Sequence, residues 1–165
     1  MANIWHSSTV SFLSKNELLP IIAPCLDKSS NFIDLTTFHF IYDKNLQLIM
    51  ETYFTIDSGD VSDINLYNEC RGVLFGSDPD SIFVYLKAKK KNYKVVVPDY
   101  SITGYKKLLK GSCITIFDVI LELYNSHKLS KDEIKNIMDK IKENTKNPVA
   151  FTHIDSYSAL TTLVH

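Results

Sequence analysis

Residues 77–126 read SDPDSIFVYLKAKKKNYKVVVPDYSITGYKKLLKGSCITIFDVILELYNS, and the alternation inside this stretch decides the fold. SDPDSIFVYLKAKKKN has the spacing of a helix, and YKVVVPD that of a strand ending on Asp99. YSITGYKKLLKG reads as a second helix, SCITIF as a second strand and FDVILELYNS as a third helix. Strands alternating with helices at this spacing argue for a parallel sheet covered by helices. In such sheets ligands bind in the crevice beyond the carboxyl ends of the strands. Asp99 falls at such an end, and Asp80 falls in the first turn of the preceding helix. Two carboxylates converging on one crevice suit a hard cation.

Outward from this core, residues 2–6 predict a short first strand, followed by a helix-like apolar stretch, TVSFLSKNELLPIIAP. NFIDL, from Asn31, is a compact strand, while the aromatics of TTFHFIYDK serve either period. METYFTIDSGD predicts another short strand with SGD as its turn. A helix follows from Ser62, where Ile64, Tyr67, Cys70 and Leu74 recur at three- and four-residue spacing. Ser62 and Asp63 offer the capping oxygens. Ser130 with Glu133 makes a capping box ahead of the apolar stripe Ile134, Ile137, Met138 and Ile141, and Asn147-Pro148 stops that helix. The apolar tail VAFTHIDSYSALTTLVH predicts a short strand and a final helix or docked segment.

No repeat, Gly/Ser linker or low-complexity tract divides the 165 residues, so the expectation is a single α/β domain over 1–165. Its layers are α/β/α around a central, mostly parallel sheet. Hydrophobic residues at 45% and charged residues at 22% are ordinary for a globular chain. A net charge of -1 gives no global attraction to nucleic acid, so a polyanion would need a local basic face. Cys25, Cys70 and Cys113 are odd in number and widely separated, and Asn3, His6 and Ser7 interrupt any apolar leader. The expected setting is a reducing cytoplasm with buried thiols. No apolar run approaches the roughly 18 residues that span a membrane. Five glycines and no Gly-rich phosphate loop argue against a dinucleotide or NTP enzyme.

The order of these segments resembles the PIN domains, metal-dependent ribonucleases found in many toxin–antitoxin systems. NIWHSSTVSFLSKNELLPII is similar to the family's opening strand, serine-containing turn and helices. Residues 76–130 resemble its second half almost element by element, and FTHIDSYSALTTLVH its closing segment. The resemblance implies a carboxylate cluster holding Mg²⁺ or Mn²⁺, which activates water against a phosphodiester of single-stranded RNA. Carried over, Asp80 and Asp99 are catalytic metal ligands, Asp43 lies nearest a further carboxylate position, and Asp78 could substitute for Asp80. Ser8 matches a small hydroxyl residue that positions a phosphate or a metal-bound water. Family members pair with a cognate antitoxin or other protein partner and often form homodimers.

One departure stands out: where the family ends its first strand on an aspartate, this chain has His6, in WHSS. An imidazole offers nitrogen in place of a carboxylate oxygen and removes one negative charge, which suits Mn²⁺ or Zn²⁺ better than Mg²⁺. The alternative to a nuclease is therefore a catalytically degenerate PIN-like module that binds RNA or a protein partner. The run Lys87, Lys89, Lys90, Lys91 and Lys94, interleaved with Tyr93, could grip a phosphate backbone, with Tyr100 stacking on a base. They also fit a solvated helix end and a packed ring. Asp99 and Asp80 fit helix caps or first-turn acids equally well, and Asp43 fits a surface loop.

Overall fold

The computed structural model describes residues 2–100, 104–145 and 151–165. Five short strands, β1 (Asn3–Trp5), β2 (Asn31–Asp34), β3 (Thr55–Asp57), β4 (Lys94–Val97) and β5 (Cys113–Thr115), form one sheet. Their order is β3-β2-β1-β4-β5, and every neighbouring pair is parallel. The direction of winding reverses at β1, where β2 lies on one side and β4 on the other. This is the topological switch point at which such sheets open a crevice.

Successive strand residues feed opposite cores. Trp5, Ile33 and Val96 belong to one buried cluster. Ile4, Val95 and Val97 belong to the other, with Phe32 packed against it. That alternation follows from the two-residue period of a strand. With both faces covered, VVV is a continuous apolar run because no position faces water.

The first face carries α1 (Ser7–Lys15), α2 (Leu19–Ile22), α4 (Lys44–Tyr53), α8 (Ile116–Asn125), α9 (Lys131–Asn144) and α10 (Asp155–Leu163). The second carries α5 (Ile64–Leu74), α6 (Ser81–Lys91) and α7 (Tyr105–Leu109). The result is the three-layer α/β/α arrangement expected from the alternation.

Several boundaries differ from the sequence reading. Strand β2 stops at Asp34 because its side chain accepts from the Thr36 amide and starts α3 (Leu35–Phe40). TTFHF is thus helical. Residues 44–53 form a helix where METYF suggested strand, since Asp43 caps it and Leu46, Ile49, Met50 and Tyr53 pack on the core. Only Thr55–Asp57 remains as strand. Strand β4 ends at Val97, before Pro98 and Asp99. Strand β5 ends at Thr115, which forms a capping box with Asp118 and begins α8 one residue before the expected start. The helix expected over 100–111 is described only from Tyr105, because residues 101–103 lie outside the described residues. So do Asn147 and Pro148, and the first two residues of the expected tail strand. The tail's described part has no strand, and Asp155–Leu163 is helical.

Candidate functional site

Strand β1 delivers His6 to the switch point, where it becomes the N-cap residue of α1. Its ring is fully buried. Nδ1 accepts from the Ser8 amide at 3.2 Å and lies 2.6 Å from Ser8 Oγ. An Nδ1 that accepts an amide hydrogen carries no hydrogen itself, so the neutral ring bears it on Nε2. Nε2 stands 2.8 Å from Ser81 Oγ and 3.4 Å from Asp80 Oδ1. Tyr105 packs edge-on against the ring at 5.5 Å. Burial pushes the imidazole below its ordinary value of 6.5, against the opposing pull of Asp80 and Asp78.

Asp80 precedes α6 as its N-cap residue yet makes no cap bond to that helix. Its carboxylate, 0% exposed, turns across the crevice to the start of α1. Oδ2 accepts from the Ser7 amide at 2.9 Å and from the Thr37 hydroxyl at 2.7 Å. Oδ1 accepts from the Ser7 hydroxyl at 2.7 Å. A buried carboxylate needs such donors, because leaving it unpaired costs several kcal/mol, roughly.

His6, Asp78 and Asp80 each offer one ligand atom, and these atoms lie within 4.8 Å of one another. The group could hold a metal ion, and Asp78, partly exposed, is its solvent-reachable member. Asp78 was the weaker sequence candidate at this position, and its place here follows from the turn that leads into α6.

The other expected ligands are Asp99 and Asp43. Asp99 is 7% exposed, beyond the end of β4, and is not a member of that group. Asp43 is exposed and caps α4, accepting from the Asn45 and Leu46 amides at 2.8 and 3.1 Å. Its surface reading, a cap on a loop-to-helix step, is the structural one. Ser8 sits beside His6, where its amide and hydroxyl both face Nδ1.

Sequence reasoning missed Asp34 and Asp57 and counted Lys87 in the basic run, whereas it is buried against both. Lys87 is 4% exposed, and its Nζ lies 2.5 Å from Asp34 Oδ1 and 3.2 Å from Asp57 Oδ1. It also donates to the main-chain carbonyl of Asp57. Lys91 Nζ reaches Asp57 Oδ2 at 2.8 Å, and the Tyr93 hydroxyl and Gly59 amide donate to the same carboxylate. Burial opposes ionisation of Asp57, but Lys91, the Gly59 amide and Lys87 outweigh it and hold the carboxyl below the usual range. The only signal available was positional: both aspartates end strands, and Lys87 lies one helical turn before Lys91.

The basic run is therefore not a free cationic face. Lys91 is committed to Asp57, and Lys90 bridges Asp63 at 2.8 Å. Lys89 is exposed. Tyr100 packs against both cores and carries the Lys106 ammonium 4.5 Å from its ring centroid.

Compared with known proteins, the chain matches no family model, no curated protein and no solved structure. What the fold and site define is a class: an all-parallel five-stranded α/β domain with a buried histidine–carboxylate pair at its switch point. No helix among the described residues is long and apolar enough to cross a membrane.

Proposed function

We propose that the chain is a PIN-like module that binds a protein partner and whose crevice no longer hydrolyses phosphodiesters. The observation that carries this reading is the commitment of His6 and Asp80 to internal hydrogen bonds. With Nδ1 taking the Ser8 amide, Nε2 carries a hydrogen, not a lone pair, and stands 2.8 Å from Ser81 Oγ and 3.4 Å from Asp80 Oδ1. Both Asp80 oxygens already accept from Ser7 and Thr37. A cation at this point would compete with these donors for the Asp80 lone pairs, would need the imidazole hydrogen moved, and would find one nitrogen where Mg²⁺ prefers oxygens. The donor set fits Mn²⁺ or Zn²⁺ better than Mg²⁺, and one ion better than two.

An apolar surface supports the binding role. The α5 stripe does not stay inside: Cys70 and Leu74 are buried, but Ile64 is 69% exposed and Tyr67 41%. Phe83, 47% exposed on the neighbouring α6, joins them across a shared depression with Leu86. Contiguous exposed apolar side chains of this kind mark protein–protein contacts. Paired lysines make the same region a weaker candidate for RNA.

A second reading keeps the enzyme: a metal-dependent ribonuclease using one Mn²⁺ on His6, Asp78 and Asp80. It is favoured by their mutual approach within 4.8 Å. Two measurements separate the readings. Incubation of single-stranded RNA with Mn²⁺ should leave it intact under the binding reading. Phe83→Glu and Ile64→Glu should abolish co-purification of the partner from the native cell while preserving the circular dichroism spectrum. Metal-dependent cleavage would favour the enzyme.

A further inference from the structure

Three oxygens converge on Lys87 Nζ: Asp34 Oδ1, Asp57 Oδ1 and the main-chain carbonyl of Asp57. An ammonium carries three hydrogens, so every one has an acceptor. Two carboxylates and a carbonyl at the carboxyl ends of adjacent parallel strands are also the donor set of a hard-cation site. We propose that this is a cation site which the chain fills from within, the Lys87 ammonium standing where a divalent ion would otherwise bind.

The sequence explains how the lysine reaches it. Lys87 lies in the middle of α6, between Leu86 and Ala88, and all three are buried against the sheet. Strands β2 and β3 pair in register at Asp34 and Asp57, which places the two carboxylates side by side. Side by side, two buried carboxylates repel each other strongly, and a cation between them reverses the sign of that interaction. A tethered ammonium delivers its charge without any ligand and cannot diffuse away. Asp57 Oδ1 also accepts from the Gly59 amide and from Lys91, which reaches both carboxylate oxygens, and the Tyr93 hydroxyl donates to Oδ2. Lys91, 35% exposed, stays bridged to Asp57 as a second, outlying cation. Asp34 Oδ2 keeps its bond to the Thr36 amide whichever cation is present. This inference rests on the Lys87 geometry alone and not on the functional reading above.

The test is Lys87→Met, which keeps the length of the buried stem and deletes the charge. Thermal melting is recorded for wild type, Lys87→Met and Lys87→Met/Asp57→Asn, in EDTA and in millimolar Ca²⁺, Mn²⁺ or Mg²⁺. Ca²⁺ and Mn²⁺ should raise the melting temperature of Lys87→Met well beyond any shift in wild type, with one ion bound per chain by calorimetry. Mg²⁺ should do less, because its octahedral demand is stricter. The double variant should lose the gain. Any ion taken by His6, Asp78 and Asp80 would shift all three proteins equally and cancel in the comparison. If Lys87→Met fails to fold in EDTA, refolding from urea with Ca²⁺ should recover it. No cation-specific gain in Lys87→Met, or stabilisation by acid alone, would overturn the proposal, as would failure to refold with and without Ca²⁺.

Discussion

The Asp80 carboxylate bonds to the backbone and hydroxyl of Ser7, a residue 73 positions away, at 2.9 and 2.7 Å. This ties the start of α6 to the start of α1 directly over the switch point, with His6 enclosed between them. The same commitment recurs along the sheet's carboxyl edge: Asp34 and Asp57 hold Lys87, and Asp118 closes a box with Thr115. Each of these four carboxylates fastens one element of the fold to another or closes a helix start.

Asp80→Ala should therefore be severely destabilising. It strands the Ser7 amide and the Ser7 and Thr37 hydroxyls in a dry environment, a loss on the order of 3 kcal/mol or more. Asp80→Asn keeps part of the acceptor set and should cost less. Urea denaturation of the three proteins checks the order, and equal stability of Asp80→Ala and wild type would contradict it.

Acid should expose His6. Its value is lowered in the fold, so between that value and 6.5 the unfolded chain binds the extra proton. Stability from this group is complete above 6.5 and is lost as pH falls below it. Asp57, held below its ordinary 3.8, loses its contribution only at lower pH. Replacing His6 by Gln should flatten the upper part of this dependence and leave the lower part. Denaturation midpoints from about pH 2 to 8 decide it; an unchanged profile would sever His6 from the acid response.

The apolar stripe gives a surface prediction. Phe83→Ser should change unfolding free energy by roughly half a kcal/mol or less, as exposed substitutions do. Partner binding should nevertheless weaken by at least tenfold, readable by titration calorimetry once the partner is in hand. A large loss of stability would mean that Phe83 is a packing residue instead.

The strand–helix alternation was legible because both sheet faces are buried, so strands appear as apolar runs such as Val95–Val97 and helices as amphipathic ones such as Ile134–Ile141. Caps at Ser130 and Asp63 were legible for the same local reason. Helix α4 was not: its aromatic end, Tyr53-Phe54, has strand character, and only the Asp43 cap and tertiary packing decide it. The site was half legible. His6 and Asp80 could be placed from the ends of their elements, whereas the Lys87 contacts depend on β2–β3 register, which no local pattern encodes. Asp43 and Lys90 misled because caps and surface ion pairs use the same residues as binding sites.

The most direct test of the central claim, that the crevice carboxylates are internally committed, is cleavage of single-stranded RNA by purified wild type. It is run in Mn²⁺, in Mg²⁺ and in EDTA, beside Asp80→Asn and His6→Asp. The account expects no cation-dependent cleavage by wild type, and none restored by His6→Asp, since Ser7 and Thr37 still occupy Asp80. Cleavage by wild type that requires Mn²⁺, stops in EDTA and disappears in Asp80→Asn would contradict it.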